Sequence, residues 1–464
     1  MEKNKTTRYV PLDILRGLTI FGMILTAIIP LSIFPRWMYH IQTPPPDHLM
    51  DMSISGLSWV DMVFPIFIFC MGVAIPLAGN INPNISPREY TTKTFGRFLG
   101  LWLFSYLYAL TIYTDLGSVW AQLSTLLGFI SLFLIYLKIP KKLKTNSLLI
   151  RSLGYTGIIA TLALGYFFFD STPTLGGRGI IIFLLAFIYL FGSLIWYFTR
   201  KSLKWRLIAL LGILIITAIT QYYNLPVISY ANPNIRWWFN VEYIYFLLLL
   251  IPATIVGDII TKEGTCNITS TSNTLIKTSV PLLLITTPIF LITTLYLRSN
   301  IWIILAVSIA TLLPIAYIFK SLKFNSELKF IAIAIILLVL GCIIEPIEGG
   351  IKKVPCTISY CFITAAMSIM LMIAIDFIYQ SCGKLKYKPV KWLLAGAGAN
   401  PLMAYIAFSN LIMPLMNTTG LVILWQISYS SEVPITGFIR AFVMTIISLA
   451  IVATFSSKKI YWKA

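Results

Sequence analysis

Residues 59–78 read WVDMVFPIFIFCMGVAIPLA, a run in which Asp61 is the only charged side chain. About 20 consecutive apolar residues are enough for an α-helix to cross the hydrocarbon core of a bilayer. Backbone groups in hydrocarbon must find hydrogen-bond partners within the segment, so a long unbroken run favours a helix. A membrane β-barrel would show short alternating strands instead. This stretch therefore predicts one membrane-spanning helix.

The same pattern recurs along the chain, which has 464 residues, 58% of them hydrophobic and 11% charged. The mean hydropathy is +0.86, which excludes an ordinary soluble globule. Fourteen runs are candidate spans: 12–34, 59–78, 97–114, 119–137, 149–169, 179–198, 206–224, 241–261, 278–297, 300–319, 329–345, 357–379, 393–416 and 434–456. We predict an all-α polytopic membrane bundle of about 10–14 helices, forming a single domain over residues 1–464.

The charge distribution predicts the orientation of this bundle. The chain has a net charge of +19, but no basic stripe interleaved with aromatic residues, so we expect no nucleic-acid partner. When the N-terminus is placed in the cytoplasm and the spans alternate, most basic residues fall in cytoplasmic loops, as the positive-inside rule requires. We therefore predict cytoplasmic termini in a multi-pass protein of the plasma (inner) membrane. A homodimer is left open.

The loop of residues 35–58, PRWMYHIQTPPPDHLMDMSISGLS, holds both histidines of the chain, His40 and His48. Histidine is the side chain best suited to proton transfer near neutral pH. Asp61 follows the loop, where it either caps the next helix or orients a histidine. Pro65 is expected to kink that helix and to free a backbone carbonyl. We predict catalytic roles for these two histidines and Asp61, the alternative being exposed loop histidines.

Other polar residues stand at the ends of spans. Asp13 and Arg16 share a helix face, which predicts either a structural ion pair or a contact with a phosphate-bearing cofactor. Asn400 precedes a proline and is expected either to cap a helix or to contact a substrate. Asp258 is expected to cap its helix or to pair with Lys262.

The segment 345–361 combines charges and thiols. Lys352 and Lys353, beside two glutamates, form either a solvated charge run or a rim for an anionic or sugar ligand. Cys356 and Cys361 are candidates for a disulfide if they face an oxidising compartment. No cysteine has metal-ligand spacing with a histidine, so we expect no metal. No hydrolase, zinc-protease, P-loop or dinucleotide-binding motif stands in a fitting sequence context. The lack of a P-loop in particular argues against a nucleotide-driven pump.

Two segments, RYVPLDILRGLTIFGMIL (8–25) and GLSWVDMVFPIFIFCMGVAIPL (56–77), resemble the paired opening motifs of the heparan-α-glucosaminide N-acetyltransferase family, in a bacterial branch. Three later stretches also fit in order: PATIVGDII (252–260), PIEGGIKKVPCTISY (346–360) and GAGANPLMAY (396–405). The resemblance covers most of the chain, and its opening pair is the most specific part.

This resemblance implies that acetyl-CoA binds from the cytoplasmic side and that its acetyl group reaches an amino sugar or glycan on the other side. A histidine between the first two core spans is the general base or a transient acyl carrier. The family's usual histidine position, five residues before Gly56, is Asp51 here. We therefore predict His48 first and His40 second. We also assign donor contacts to Asp13 and Arg16, and substrate contacts to four residues: Asp51, Asn400, Lys352 and Lys353.

A secondary transporter of sugars or amino sugars is the main alternative function. Many spans, interrupted helices and intramembrane charges suit alternating access, although the two halves show no internal repeat. A purely structural role would explain the histidine loop poorly.

Overall fold

A computed structural model of the chain describes residues 8–31, 33–80, 82, 84–113, 118–139, 146–169, 171, 174, 177–223, 239, 241–268, 273–381 and 388–464. The first helices are α1 (Val10–Ile28), α2 (Trp59–Gly79), α3 (Pro87–Leu110), α4 (Val119–Tyr136), α5 (Ser147–Phe168), α6 (Ile180–Thr199), α7 (Leu203–Tyr222) and α8 (Glu242–Glu263). The later helices are α9 (Thr274–Tyr296), α10 (Ile301–Ser321), α11 (Asn325–Ile344), α12 (Ile358–Ser381), α13 (Lys388–Gly398), α14 (Pro401–Thr418), α15 (Val422–Ile427) and α16 (Pro434–Ser457).

Within these described ranges, twelve helices are long and apolar enough to cross a membrane, and the bent pair α13–α14 brings the number to 13. The predicted all-α, multi-pass membrane fold is confirmed. One predicted span, 97–114, differs: α3 begins earlier, at Pro87, and its first turns carry Arg88, Glu89 and Lys93. Helix α3 is not one of the twelve.

The predicted continuous span over 393–416 is wrong, because α13 and α14 meet at an angle of 91°. Pro401 lacks an N–H group and disfavours the helical conformation in the residue before it. Asn400 accordingly adopts φ −131° and ψ 57°, outside the helical region. A stretch of π-helix, Ala407–Ile412, follows inside α14.

The chain divides into two compact units, a division that the prediction of a single domain did not include. The first unit comprises Met1–Thr19, Phe34–Thr94 and Ile188–Pro389, and the second comprises Ile20–Ile33, Phe95–Phe187 and Val390–Ala464.

Helix α12 is central to the first unit, since every residue from Cys356 to Met370 is buried. Helices α2 and α8 approach closely because glycines stand at their contact. A Cβ on Gly72 would lie 2.6 Å from the Cβ of Ala253, and one on Gly257 would lie 2.5 Å from the Val73 carbonyl oxygen. The helix that carries Asp61 is thus packed tightly against its neighbour.

In the second unit, the C-terminal segment is fixed by aromatic packing and backbone bonds. The Lys138 N–H donates to the Tyr461 carbonyl at 2.8 Å, and the Lys463 N–H donates to the Tyr136 carbonyl at 2.7 Å. Trp462 is buried, and its ring contacts a group of aromatic side chains: Phe104, Phe129, Phe133 and Tyr136.

Candidate active site

Asp61 lies in the first turn of α2, and its side chain is 2% exposed. Its Oδ2 accepts hydrogen bonds from the Ser58 hydroxyl at 2.7 Å, the Ser58 N–H at 3.2 Å and the Ile41 N–H at 3.1 Å. The Ser58 hydroxyl in turn accepts from the Asp61 N–H, so the two residues form a capping box. Asp61 therefore caps its helix, and it also holds the preceding loop.

His40 is the histidine that this carboxylate binds. Its Nδ1 lies 2.7 Å from Asp61 Oδ1, while 42% of its side chain is exposed. Because an ionised carboxylate only accepts hydrogen bonds, Nδ1 carries the proton and the lone pair of the neutral ring is on Nε2. The pair combines a fixed base with an accessible ring.

Lys353 completes a group of three ionisable side chains, which we call the His40 triad: His40, Asp61 and Lys353. Its Nζ lies 3.4 Å from His40 Nδ1, and its charge interacts with that of Asp61. Burial lowers the pKa of Lys353, and the charge of Asp61 opposes that shift. Lys353 thus supplies positive charge beside a carboxylate that is itself buried.

Gln42 fixes the histidine loop to the segment that carries Lys353. Its Nε2 donates to the Val354 carbonyl at 2.5 Å, and its Oε1 accepts from the Val354 N–H at 3.0 Å. A further bond joins the Gly56 N–H to the Ile351 carbonyl at 2.8 Å. These bonds bring together residues about 300 positions apart in sequence.

Tyr360 fixes Asp61 from the side of α12. Pro65 has no N–H to bond the carbonyl four residues earlier, which is that of Asp61. The Tyr360 hydroxyl donates to this carbonyl at 2.8 Å. The free carbonyl that Pro65 was expected to create is thus present, and it anchors the acidic residue of the triad.

The other predicted residues of the loop lie in turns of their own. His48, ranked first from the sequence, has a φ of 51° and packs edge-on against the Tyr39 ring at 4.6 Å. Asp51 is exposed, and its Oδ1 accepts from the Ser53 N–H at 2.8 Å and hydroxyl at 2.6 Å. These bonds from Ser53 lower the pKa of Asp51, and the charge of Lys352 contributes. The structure thus brings His40, rather than His48, to Asp61.

The lysines and glutamates of segment 345–361 do not all lie together in one rim, as the sequence suggested. Lys353 contacts His40, and Glu348 instead caps α12 by accepting from the Ile358 N–H at 2.7 Å and the Ser359 N–H at 2.9 Å. The adjacent thiols of Cys356 and Cys361 are free, with their Sγ atoms 3.4 Å apart.

Asp13 forms the predicted pair with Arg16, whose Nη1 lies 3.3 Å from Asp13 Oδ1. Arg8 contacts the other carboxylate oxygen, and Arg16 Nη2 reaches the Cys70 carbonyl at 3.5 Å. The structural ion pair is therefore present, with a second arginine that the sequence prediction did not include.

Asn400, in the second unit, stands at the N-cap position of α14 as expected, but its side chain makes no capping hydrogen bond. Its Nδ2 donates to the Ile460 carbonyl at 3.1 Å, and its Oδ1 accepts from the Trp462 N–H at 3.0 Å. The nitrogen and the oxygen of this side-chain amide thus both bind the C-terminal segment.

Asp258 also has a partner that its sequence position did not indicate. The expected partner was Lys262. Instead, Asp258 Oδ2 contacts Arg206 Nη1, and Asp258 Oδ1 accepts a hydrogen bond from Trp196 Nε1 at 3.1 Å. Arg206 is 52 positions away, so no local spacing predicts it. We call this second group, Asp258, Arg206 and Trp196, the Arg206 cluster.

The chain belongs to the family described as a domain of unknown function, DUF5009, whose family model matches residues 8–260. The matched segment contains His40 and Asp61, whereas Lys353 and Tyr360 lie beyond it. Among curated proteins, none matches the chain. Within the described ranges, no three histidine, cysteine, aspartate or glutamate side chains are arranged to hold a metal ion.

Proposed function

We propose that this member of the DUF5009 family is a membrane acyltransferase. It moves an acetyl or other acyl group from acyl-CoA on the cytoplasmic side to an amine or hydroxyl of an amino sugar or glycan on the opposite side of the plasma (inner) membrane. The observation that carries the proposal is the bond between Asp61 and His40 Nδ1, with the His40 ring accessible. The resemblance of the opening motifs supports it.

In direct transfer, His40 Nε2 removes the proton from the acceptor amine or hydroxyl as that atom attacks the thioester carbonyl. The carbon–sulfur bond then breaks, and the departing CoA thiolate takes the proton from His40. Asp61 stabilises the imidazolium that exists between these two steps, because its carboxylate already accepts the Nδ1–H bond. Lys353 limits the negative charge around this pair.

In transfer through an acyl-enzyme, Nε2 itself attacks the thioester, the carbon–sulfur bond breaks, and CoA leaves as the thiolate, which takes a proton from water. The acceptor then attacks the acyl-imidazolium, whose Nδ1–H stays bonded to Asp61, and gives its own proton to water, which restores the neutral ring. Both routes need the same tautomer of His40, with Nδ1 bonded to Asp61. They differ in kinetics, since only the second gives a ping-pong pattern.

The acyl donor carries phosphates that arginine binds well. Arg8 and Arg16 flank Asp13, and the Arg8 side chain is 51% exposed. We assign the donor's phosphates to these guanidinium groups, and they release part of their contact with Asp13 when the donor binds.

The test measures transfer of label from acetyl-CoA to glucosamine by the purified protein, for wild type, His40→Gln and His48→Gln. We expect His40→Gln to lower the rate constant by about 10²–10⁴. His48→Gln is the matched control from the same loop and should stay near the wild-type rate. Wild-type transfer by His40→Gln would overturn the assignment of the base.

A secondary transporter is the second candidate, favoured by the 91° break between α13 and α14 and the π-helix that follows. Discontinuous helices often line transport sites. Counterflow of labelled amino sugar into proteoliposomes without an acyl donor would support this function. Transfer that depends on His40, without counterflow, would exclude it.

A further inference from the structure

An open cavity of about 360 Å³ lies in the first unit, beside the loops that build the His40 triad. Its walls include Gly56, Arg298, Trp302, Glu345 and Ile351. Ligand pockets in proteins have volumes of roughly 300–1,000 Å³, so this one suits a small polar unit.

Two short connections join this cavity to the triad. Gly56 is two residues before Ser58, the N-cap of the helix that carries Asp61, and Ile351 is two residues before Lys353. Two residues extend over at most about 7 Å. Because the Gly56 N–H donates to the Ile351 carbonyl at 2.8 Å, the two connections share one wall. The loop that carries His40 also reaches this wall, because the Ile41 side chain lies 3.5 Å from the position that a Cβ on Gly56 would take.

Arg298 is held in place at the cavity wall. Its Nη1 donates to the Ser55 carbonyl at 2.8 Å and also contacts the Ser55 hydroxyl. Its φ of 56° belongs to the left-handed turn that ends α9, in which the Ser299 N–H donates to the Thr294 carbonyl at 3.0 Å. The guanidinium thus has a fixed position before any ligand arrives.

Glu345 and Trp302 add complementary chemistry. Glu345 follows the end of α11; burial raises its pKa, and the charge of Arg298 opposes this shift. Trp302 lies in the first turn of α10 with 53% of its surface exposed. A carboxylate, a guanidinium and an exposed indole are groups that bind sugar hydroxyls or ammonium groups and the apolar face of a sugar ring.

We propose that this cavity binds the sugar unit next to the reacting one, so that the acceptor is an oligosaccharide or glycan chain and not a free monosaccharide. This inference rests on the proposed acyltransferase function. It assigns Trp302 to stacking on the second ring, Glu345 to its amine or hydroxyl groups, and Arg298 to its oxygen atoms.

The binding experiment uses equilibrium dialysis of the purified full chain with glucosamine and with its β-1,4-linked dimer, without an acyl donor. The dimer should bind wild type at least about tenfold more tightly than the monomer, a difference of about 1.4 kcal/mol. Trp302→Ala and Glu345→Gln should remove that preference, and His40→Gln should keep it. Trp205→Ala is the matched control, since Trp205 is an exposed indole of the same unit on α7.

Equal affinities for the two sugars, or absence of binding, would overturn the inference. Retention of the preference by Trp302→Ala would also overturn it, and would leave Trp302 as an interfacial anchor of α10. The transfer assay separates the two proposals. Dimer binding that depends on Trp302, without any transfer, would reject the acyltransferase and keep the sugar site. Transfer with equal kcat/KM for monomer and dimer would reject the sugar site alone.

Discussion

The His40 triad and the Arg206 cluster are built on the same plan but with different partners. Each has a buried aspartate bonded to a ring N–H and accompanied by a cation. In the triad the ring is an imidazole with 42% of its side chain exposed, and in the cluster it is a fully buried indole. Imidazole exchanges protons near neutral pH, whereas indole only donates a hydrogen bond.

The cations of the two groups also differ in whether they can exchange a proton. Arg206 is 3% exposed and keeps its charge at any physiological pH, so it locks Asp258 in an ion pair. Lys353 has a lowered pKa and stands beside a carboxylate that already accepts four hydrogen bonds. A buried aspartate in a membrane helix is therefore a poor guide to function by itself. The exposure and proton chemistry of its partners distinguish a site from a structural tie.

Substitution of each aspartate by asparagine is the most direct test of the difference between the two groups, and it should give the largest effect. Asp61→Asn should lower acyl transfer by about 10²–10⁴, because the amide no longer enforces the required tautomer of His40. Asp258→Asn should leave the rate constant per folded molecule unchanged and lower stability, since Arg206 remains charged and buried. The measurements are labelled acetyl transfer and thermal unfolding in detergent. The opposite assignment of effects would reverse the roles given to the two groups.

The sequence predicted much of the fold, because the length of its apolar runs identifies most of the helices that can cross a bilayer. Local rules also predicted the Asp13–Arg16 pair and the carbonyl that Pro65 leaves to Tyr360. The bend at Asn400 was missed although a helix cap was expected there, because the predicted span over 393–416 followed the apolar run and continued through this position.

The site was predictable only in part. Asp61 was expected to orient a histidine, but the choice between His40 and His48 depends on how a 24-residue loop is held. The two hydrogen bonds between Gln42 and Val354, which are 312 residues apart, hold the loop in the conformation that places His40 beside Asp61. Lys353 reaches His40 over a similar separation. Contacts of this kind leave no periodicity in a single sequence, and the same holds for Arg206 and Asp258.

Removal of the arginine should produce the next largest effect, now on stability. Arg206→Met leaves a buried carboxylate without its cation, which typically costs about 3–5 kcal/mol. Lys204→Met, two residues away on α7 and exposed, is the matched control and should change stability by less than about 0.5 kcal/mol. Fluorescence-detected size-exclusion chromatography after heating measures both variants. A melting curve for Arg206→Met like that of Lys204→Met would show that Asp258 does not need the ion pair.

Removal of the lysine should cost less. Lys353→Met leaves Asp61 with its bonds from His40, Ser58 and Ile41. Because the cost of burying the Lys353 charge exceeds the attraction of Asp61, which is why its pKa is lowered, we expect a change of no more than about 1 kcal/mol. Lys352→Met, whose charge faces the exposed Asp51, serves as the control and should be near neutral. A loss as large as that of Arg206→Met would mean that the two groups depend on their cations equally.

The smallest effect is a pH dependence that only the triad should show. Because the pKa of Lys353 is lowered in the folded protein, the unfolded chain binds more protons from that lowered value up to the ordinary lysine pKa of about 10.4. Unfolding in this window takes up a proton, so the stability of wild type relative to Lys353→Met should rise as pH rises. The corresponding difference for Arg206→Met should stay constant, since arginine does not titrate there. Chemical unfolding of the three proteins across the alkaline range measures both differences in the free energy of unfolding. If the difference between wild type and Lys353→Met were constant, the Lys353 ammonium of the wild type would be as well solvated in the folded protein as in the unfolded chain.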